Sequence, residues 1–200
     1  MNLRGPDHIT ALYEQATELD AAGRGLDALE VLGDLLNRYF YDAPAGSDQV
    51  LVSAALLAAV VSHRLGFFEQ SIQLQEKVLA QYASHDDPHV RLVIAQARTS
   101  MGATFGAMGR LEPAVQAYTD AVEQMRPQLG DPEWEELLAT ALYGRAFWLK
   151  ELDRDQEAVD DCDELVETFR SRHDGDIPRF VEMAKLLREY LNGTSGRTAS

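Results

Sequence analysis

Cysteine is almost absent: a single residue, Cys162, stands in a chain of 200. One thiol excludes an internal disulfide framework and a cysteine-based zinc site, and it fits a reducing compartment. Basic side chains are also scarce, 18 Lys and Arg against 33 Asp and Glu, for a net charge of −15. That surplus argues against a sequence-independent grip on a nucleic-acid backbone. Long apolar runs are missing too. The longest, residues 50–61, is interrupted by Ser53 and falls short of the about 20 residues that span a bilayer. The opening residues MNLRGPDHIT show no apolar stretch followed by a small-residue cleavage site, so no secretory leader is visible. These absences point to a cytoplasmic protein whose partners are neither nucleic acid nor membrane. What is present is material for a core: 46% hydrophobic and 26% charged residues, the balance of an ordinary globular chain.

The chain repeats itself. Gly23, Gly66 and Gly109 are spaced by 43 residues, and Asp153 follows after 44. Seven residues before each stands a small residue (Ala16, Ala59, Gly102, Ala146), and five after each another (Ala28, Ser71, Ala114, Ala158). A largely apolar set completes the unit at helical spacing: Leu19, Ser62, Phe105 and Leu149, then Leu35, Val78, Ala121 and Leu165. Small residues let two helices approach, and glycine suits the left-handed backbone at a helix end. Each unit therefore reads as an antiparallel helix pair folded at the glycine. Asp87-Pro88 and Asp131-Pro132 have the form of an N-cap followed by proline in the first helical turn; Asp42-Ala43-Pro44 and Asp176-Ile177-Pro178 are looser versions. Repeats are expected at about 7–40, 47–83, 88–126 and 132–171. An amphipathic helix at 179–191 should then cover the last pair with Phe180, Met183, Leu186, Leu187 and Tyr190. Residues 192–200, rich in Gly, Ser and Thr, are expected to be disordered.

The order small residue, aromatic, glycine turn, alanine, aromatic, alanine in Gly102, Phe105, Gly109, Ala114, Tyr118 and Ala121 resembles a tetratricopeptide (TPR) repeat. The first and fourth units are degenerate versions, and the second departs most, with Ser62 and Gln75 where large apolar groups are usual. A period of about 43 rather than 34 is similar to the longer-period repeats of kinesin light chains and bacterial TPR proteins. The resemblance covers about residues 9–171. It implies an all-α, right-handed superhelical solenoid of about four antiparallel helix pairs with a C-terminal capping helix, spanning 1–191 as a single domain. The Ala, Asp and Arg bias of this acidic chain suits a bacterial source.

Few residues suggest chemistry. The crowding of imidazole and carboxylate in His85-Asp86-Asp87-Pro88-His89 is the best metal candidate, but it falls on a helix start where Asp87 has a capping role. His173-Asp174-Gly175-Asp176 has the composition of a turn and lacks the alternating oxygen ligands of a calcium loop. No glycine-rich loop leads into Lys-Ser or Lys-Thr. Cys162 occupies a core position of the repeat. No catalytic residue, metal or cofactor is assigned.

What remains is surface. In stacked helix pairs the first helices line the concave side, so one face of each contributes to a groove. The register places there Tyr13, Thr17 and Asp20; Leu56, Val60 and His63; Thr99, Ala103 and Gly106; and Tyr143, Phe147 and Lys150. Tyr143 and Phe147, four residues apart, are expected to border an apolar pocket floored by Ala103 and Gly106; the competing reading is that Gly102, Gly106 and Gly109 only permit tight packing. The acidic stretch 151–167 is either a solvated face or a docking strip for a basic segment. The cochaperone carboxylate clamp is absent, since the comparable faces carry Tyr13, Thr17, Leu56 and Thr99. The expected function is a non-catalytic protein–protein interaction module that binds a partner peptide or helix in the groove. Two alternatives stay open: a sensor that binds a small ligand or signal peptide and acts through a separate effector chain, and a small acidic secretion-type chaperone. The exposed edge of the first pair leaves self-association open.

Overall fold

A computed structural model describes residues 5–195. Among these residues there are nine α-helices and no strand: α1 (Pro6–Ala21), α2 (Gly25–Tyr39), α3 (Asp48–Arg64), α4 (Phe68–Tyr82), α5 (Pro88–Ala107), α6 (Leu111–Met125), α7 (Pro132–Glu151), α8 (Asp155–Phe169) and α9 (Ile177–Ser195). A 3₁₀ turn over Arg126–Gln128 follows α6.

The period is written in the backbone. Gly23, Gly66 and Gly109 have φ of 74°, 82° and 71°, and Asp153 joins them at 55°. Each turn closes with the same bond from the next residue back to the carbonyl five positions earlier. Arg24 N–H donates to the Leu19 carbonyl at 2.9 Å, Phe67 to Ser62 at 2.8 Å, Arg110 to Phe105 at 2.9 Å and Arg154 to Leu149 at 3.0 Å. This is the Schellman ending, which satisfies helix-end carbonyls only if the intervening residue is left-handed. At the other ends, Asp131 accepts from Glu133 N–H at 3.0 Å and Asp87 accepts from Val90 N–H at 3.1 Å, as the Asp-Pro pairs require.

The second helices bury one stripe each, and the stripes are in register: Ala28, Leu32, Leu35 and Tyr39 in α2; Ser71, Gln75, Val78 and Tyr82 in α4; Ala114, Tyr118, Ala121 and Met125 in α6; Ala158, Cys162, Leu165 and Phe169 in α8. Spacing of four, three and four residues keeps a stripe on one helix face. Ser71 and Gln75 are polar members, and the Ser71 hydroxyl donates to the Ala59 carbonyl of α3 at 2.8 Å.

The chain folds as two compact units, up to Ala97 and from Arg98 onward. In the first, Ile9, Ala16, Leu32, Leu35, Tyr39, Leu51 and Ala58 join α1, α2 and α3, while Phe40, Val52, Val78, Tyr82, Val90 and Ile94 join α3, α4 and the start of α5. In the second, glycines make room for rings. A Cβ on Gly102 would lie 2.6 Å from the Tyr118 ring, and one on Gly144 would meet the same ring at 2.6 Å from its other side. A Cβ on Gly106 would lie 2.2 Å from the Trp148 indole.

Helix α9 departs from expectation in two ways. It continues through residues 192–195, which were expected to be disordered; the remainder of that tail, 196–200, lies outside the described residues. It is also rotated. Ile177, Val181, Ala184 and Leu191 are buried, whereas Leu186 is 66% and Tyr190 57% exposed. The reason is repeat register: Trp134, Leu138 and Ala141, three of the buried residues of α7, reappear 43 positions later as Ile177, Val181 and Ala184. α9 therefore packs as the first helix of a further unit. Where α7 turns Ala146 and Leu149 toward α8, α9 has exposed Glu189 and Asn192, a polar face that ends the apolar pattern.

Candidate functional site

The residues expected to form one groove separate into those the fold exposes and those it uses for packing. In the first unit, Val60 is 38% exposed, Thr17 is exposed, and Tyr13, Leu56 and His63 are half-buried. The Thr17 hydroxyl donates to the Tyr13 carbonyl at 2.9 Å, and Asp20 of α1 pairs with Arg64 of α3. Burial lowers the pKa of His63, whose ring lies 5.4 Å from Phe68.

In the second unit two assignments change. Thr99 and Gly106 are buried, and Ala103 is half-buried. Gly106 provides no bare floor because the Trp148 indole lies on it. Trp148 also hydrogen-bonds to Tyr118, whose phenol is pushed up to about 12 chiefly by burial. The glycines of α5 thus serve tight packing.

Tyr143, Phe147 and Lys150 instead face α9. With Met183, Leu186, Leu187 and Tyr190 they line an open trough of about 300 Å³. The Tyr143 ring stands 6.1 Å from Phe180, and burial raises its pKa. Phe147, 38% exposed, packs edge-on against Trp148 at 4.8 Å. Lys150 Nζ donates to Glu151 at 2.7 Å and lies 5.7 Å from the Tyr190 ring centroid, a distance at which the ring face attracts the cation. The α9 contribution is missed in the sequence because Phe180, Met183, Leu186, Leu187 and Tyr190 are all expected to cover the last pair. The signal was available: Leu186 and Tyr190 follow Tyr143 and Phe147 by 43 residues each.

The acidic stretch of α8 is largely braced from within. Arg145 of α7 holds buried Asp161 through bonds of 2.8 and 2.5 Å, Arg126 holds Glu164 at 2.8 and 2.6 Å, and Arg188 of α9 holds Asp163 at 2.6 Å. Three cations from three neighbouring elements clamp one helix. Burial still raises the Asp161 pKa despite the Arg145 charge. Cys162 beside it is buried, its thiol pushed up to about 12 by burial and then by the flanking carboxylates. Such a thiol is a poor nucleophile.

The His85–His89 stretch ties α3 to the start of α5. His85 Nδ1 accepts from Asp87 N–H at 3.2 Å, Gln49 donates to Asp87 at 2.9 Å, and His89 Nε2 lies 3.0 Å from Ser53 Oγ. Among the described residues no group of three or more His, Cys, Asp or Glu is arranged to hold a metal ion, and no helix is long and apolar enough to cross a membrane.

No protein-family model matches the sequence, and no curated protein matches it. Solved structures do resemble the fold. A Podosopora anserina protein with nearly identical TPR-like repeats of the kinesin light chain type aligns over 99% of both chains with a TM-score of 0.67 at 15% identity; a point-substituted form of that protein aligns over 100% of this chain and 99% of its own, at 0.68 and 15%. BtubC (BKLC) from P. vanneervenii aligns over 100% of this chain and 93% of its own, at 0.58 and 13%. The chain has a TPR-like repeat fold.

Proposed function

We propose that this protein is a non-catalytic interaction scaffold of the cytoplasm, and that the α7/α9 trough accepts apolar side chains of a partner protein. The observation that carries this reading is the exposure of Phe147, Leu186 and Tyr190 around one open trough. Large apolar side chains left in water on adjacent helices mark surfaces that a partner covers. The register supports it, because Tyr143 and Phe147 of α7 recur as Leu186 and Tyr190 of α9 at the repeat spacing. The stripe Tyr13, Thr17, Leu56, Val60 and His63 offers a second, more polar contact surface.

The test is affinity capture from native lysate with wild-type protein and the Leu186→Ala/Tyr190→Ala variant, after circular dichroism has matched their helicity. A protein retained by the wild type and lost by the variant identifies the partner and supports the trough. Identical retained sets would overturn the assignment of the site. Light scattering on both proteins separates a foreign partner from self-association.

A further inference from the structure

Resting on the reading of the trough as a binding site, we infer that its occupant is an amphipathic helix with basic flanks, and not an extended peptide. The chemistry of the walls carries this. Of the seven lining residues, four are apolar (Phe147, Met183, Leu186, Leu187), two are tyrosines, and one is Lys150, whose ammonium is already engaged with Glu151. No asparagine or glutamine is among them. An extended peptide presents its own N–H and C=O groups to whatever it lies on, and such groups are costly to bury without partners. Here the walls offer two phenol hydroxyls. A helix satisfies its backbone internally and needs only side-chain complementarity.

Length and spacing agree. The α7 wall runs from Tyr143 to Lys150 and the α9 wall from Met183 to Tyr190, each about 10 Å at the helical rise. Two turns accommodate apolar side chains at i, i+3 or i+4, and i+7 of a guest helix, the recurring helix-in-groove pattern. Charge selects the flanks. Exposed Glu136 and Glu189 lie on the same two helices, Glu182 being held by Lys185 at 2.6 Å, in a chain of net charge −15, so lysine and arginine on the guest's polar face are complementary.

Two phage-displayed libraries of 18-residue peptides provide the test. One has an alanine–lysine helical scaffold with i, i+4 and i+7 randomised; the other has proline at every third position, which prevents helix formation. Both are panned on the full chain and on Leu186→Ala/Tyr190→Ala. The expected result is enrichment from the helical library of peptides that lose at least tenfold in affinity on the variant, gain helicity on mixing, and lose at least tenfold when proline replaces a central residue. Proline-library binders that depend on Leu186 and Tyr190 would overturn the helical occupant and keep the trough as a site. No variant-sensitive binder from either library would overturn both.

Discussion

Replacing Asp153 by glycine is expected to stabilise the protein by about 1 kcal/mol. Asp153 is the single non-glycine residue with positive φ among the described residues, at 55°, and it closes the fourth turn as Gly23, Gly66 and Gly109 close the first three. A left-handed L-residue costs about 1–2 kcal/mol, with aspartate toward the low end because its side chain can bond locally. Its carboxylate also follows the C-terminus of α7, where a negative charge opposes the helix dipole by about 0.3–1 kcal/mol. Glycine removes both terms but has more backbone entropy to lose on folding, about 0.5–1 kcal/mol. The net gain corresponds to a rise in Tm of about 2–4 °C for a chain of this size. Urea unfolding followed by Trp134 and Trp148 fluorescence reads it as a higher midpoint at unchanged slope. Gly109→Ala, which makes the reverse exchange in the third turn, should lose about 1 kcal/mol. If Asp153→Gly were neutral or destabilising while Gly109→Ala lost stability, the shared left-handed turn would not be what glycine supplies at these positions.

Gly106→Ala should destabilise by about 1–3 kcal/mol through overpacking, because the new methyl would lie 2.2 Å from the indole; a shift in Trp148 emission with unchanged helicity would be the signature. Arg145→Ala leaves buried Asp161 without its cation and should cost about 3–5 kcal/mol in urea unfolding, whereas Arg145→Met/Asp161→Leu should recover most of that loss. Asp87→Ala should lower stability at neutral pH and approach the wild type in acid. The Asp87 pKa is lowered in the fold, first by the Val90 N–H and then by Gln49, so its contribution is present above the unfolded carboxylate pKa and disappears as pH falls through the folded one; melts from pH 7 to pH 2 read the difference. Tyr82 and Tyr118, both pushed up to about 12, should be the last tyrosines to ionise in an ultraviolet titration, and earlier ionisation of either would contradict their burial.

Nearly all of the helix architecture was legible because the repeat is carried largely by residues with strong backbone preferences of their own. Glycine at 23, 66 and 109 announces a left-handed turn, and Asp-Pro at 87–88 and 131–132 announces a helix start; neither depends on tertiary context. The candidate site was half legible. Tyr143, Phe147 and Lys150 follow from register alone, but Gly106 was assigned to a pocket floor because a glycine looks identical in sequence whether a ligand or a ring covers it. Only the placement of Trp148 decides, and that depends on how α5 and α7 pack. α9 failed for another reason. It carries two apolar stripes, Ile177, Val181 and Ala184 on one side and Leu186 and Tyr190 on the other, and the amphipathic reading of 179–191 places only the second, with Phe180, Met183 and Leu187, against the last pair. Repeat register selects the first.

That register separates the proposed binding surface from the charge of the molecule. A strongly acidic α8 invites an electrostatic docking strip, yet Asp161, Asp163 and Glu164 are held by Arg145, Arg188 and Arg126. Charges committed in this way have little left to offer a partner, since exchanging one cation for another gains little in water. The trough has the opposite composition, one engaged lysine among apolar and aromatic walls. Binding there should be governed by apolar burial at about 25 cal/mol per Å², with long-range charge acting mainly on the encounter rate. Raising salt from about 0.05 to about 0.5 M should therefore slow association with a basic-flanked helix while leaving its dissociation rate nearly unchanged, because the Debye length shortens while buried apolar contacts persist. Surface plasmon resonance with a helical-library peptide resolves the two rates. A dissociation rate that rose steeply with salt would place the binding energy in ion pairs on the acidic surface and remove the trough from its central role.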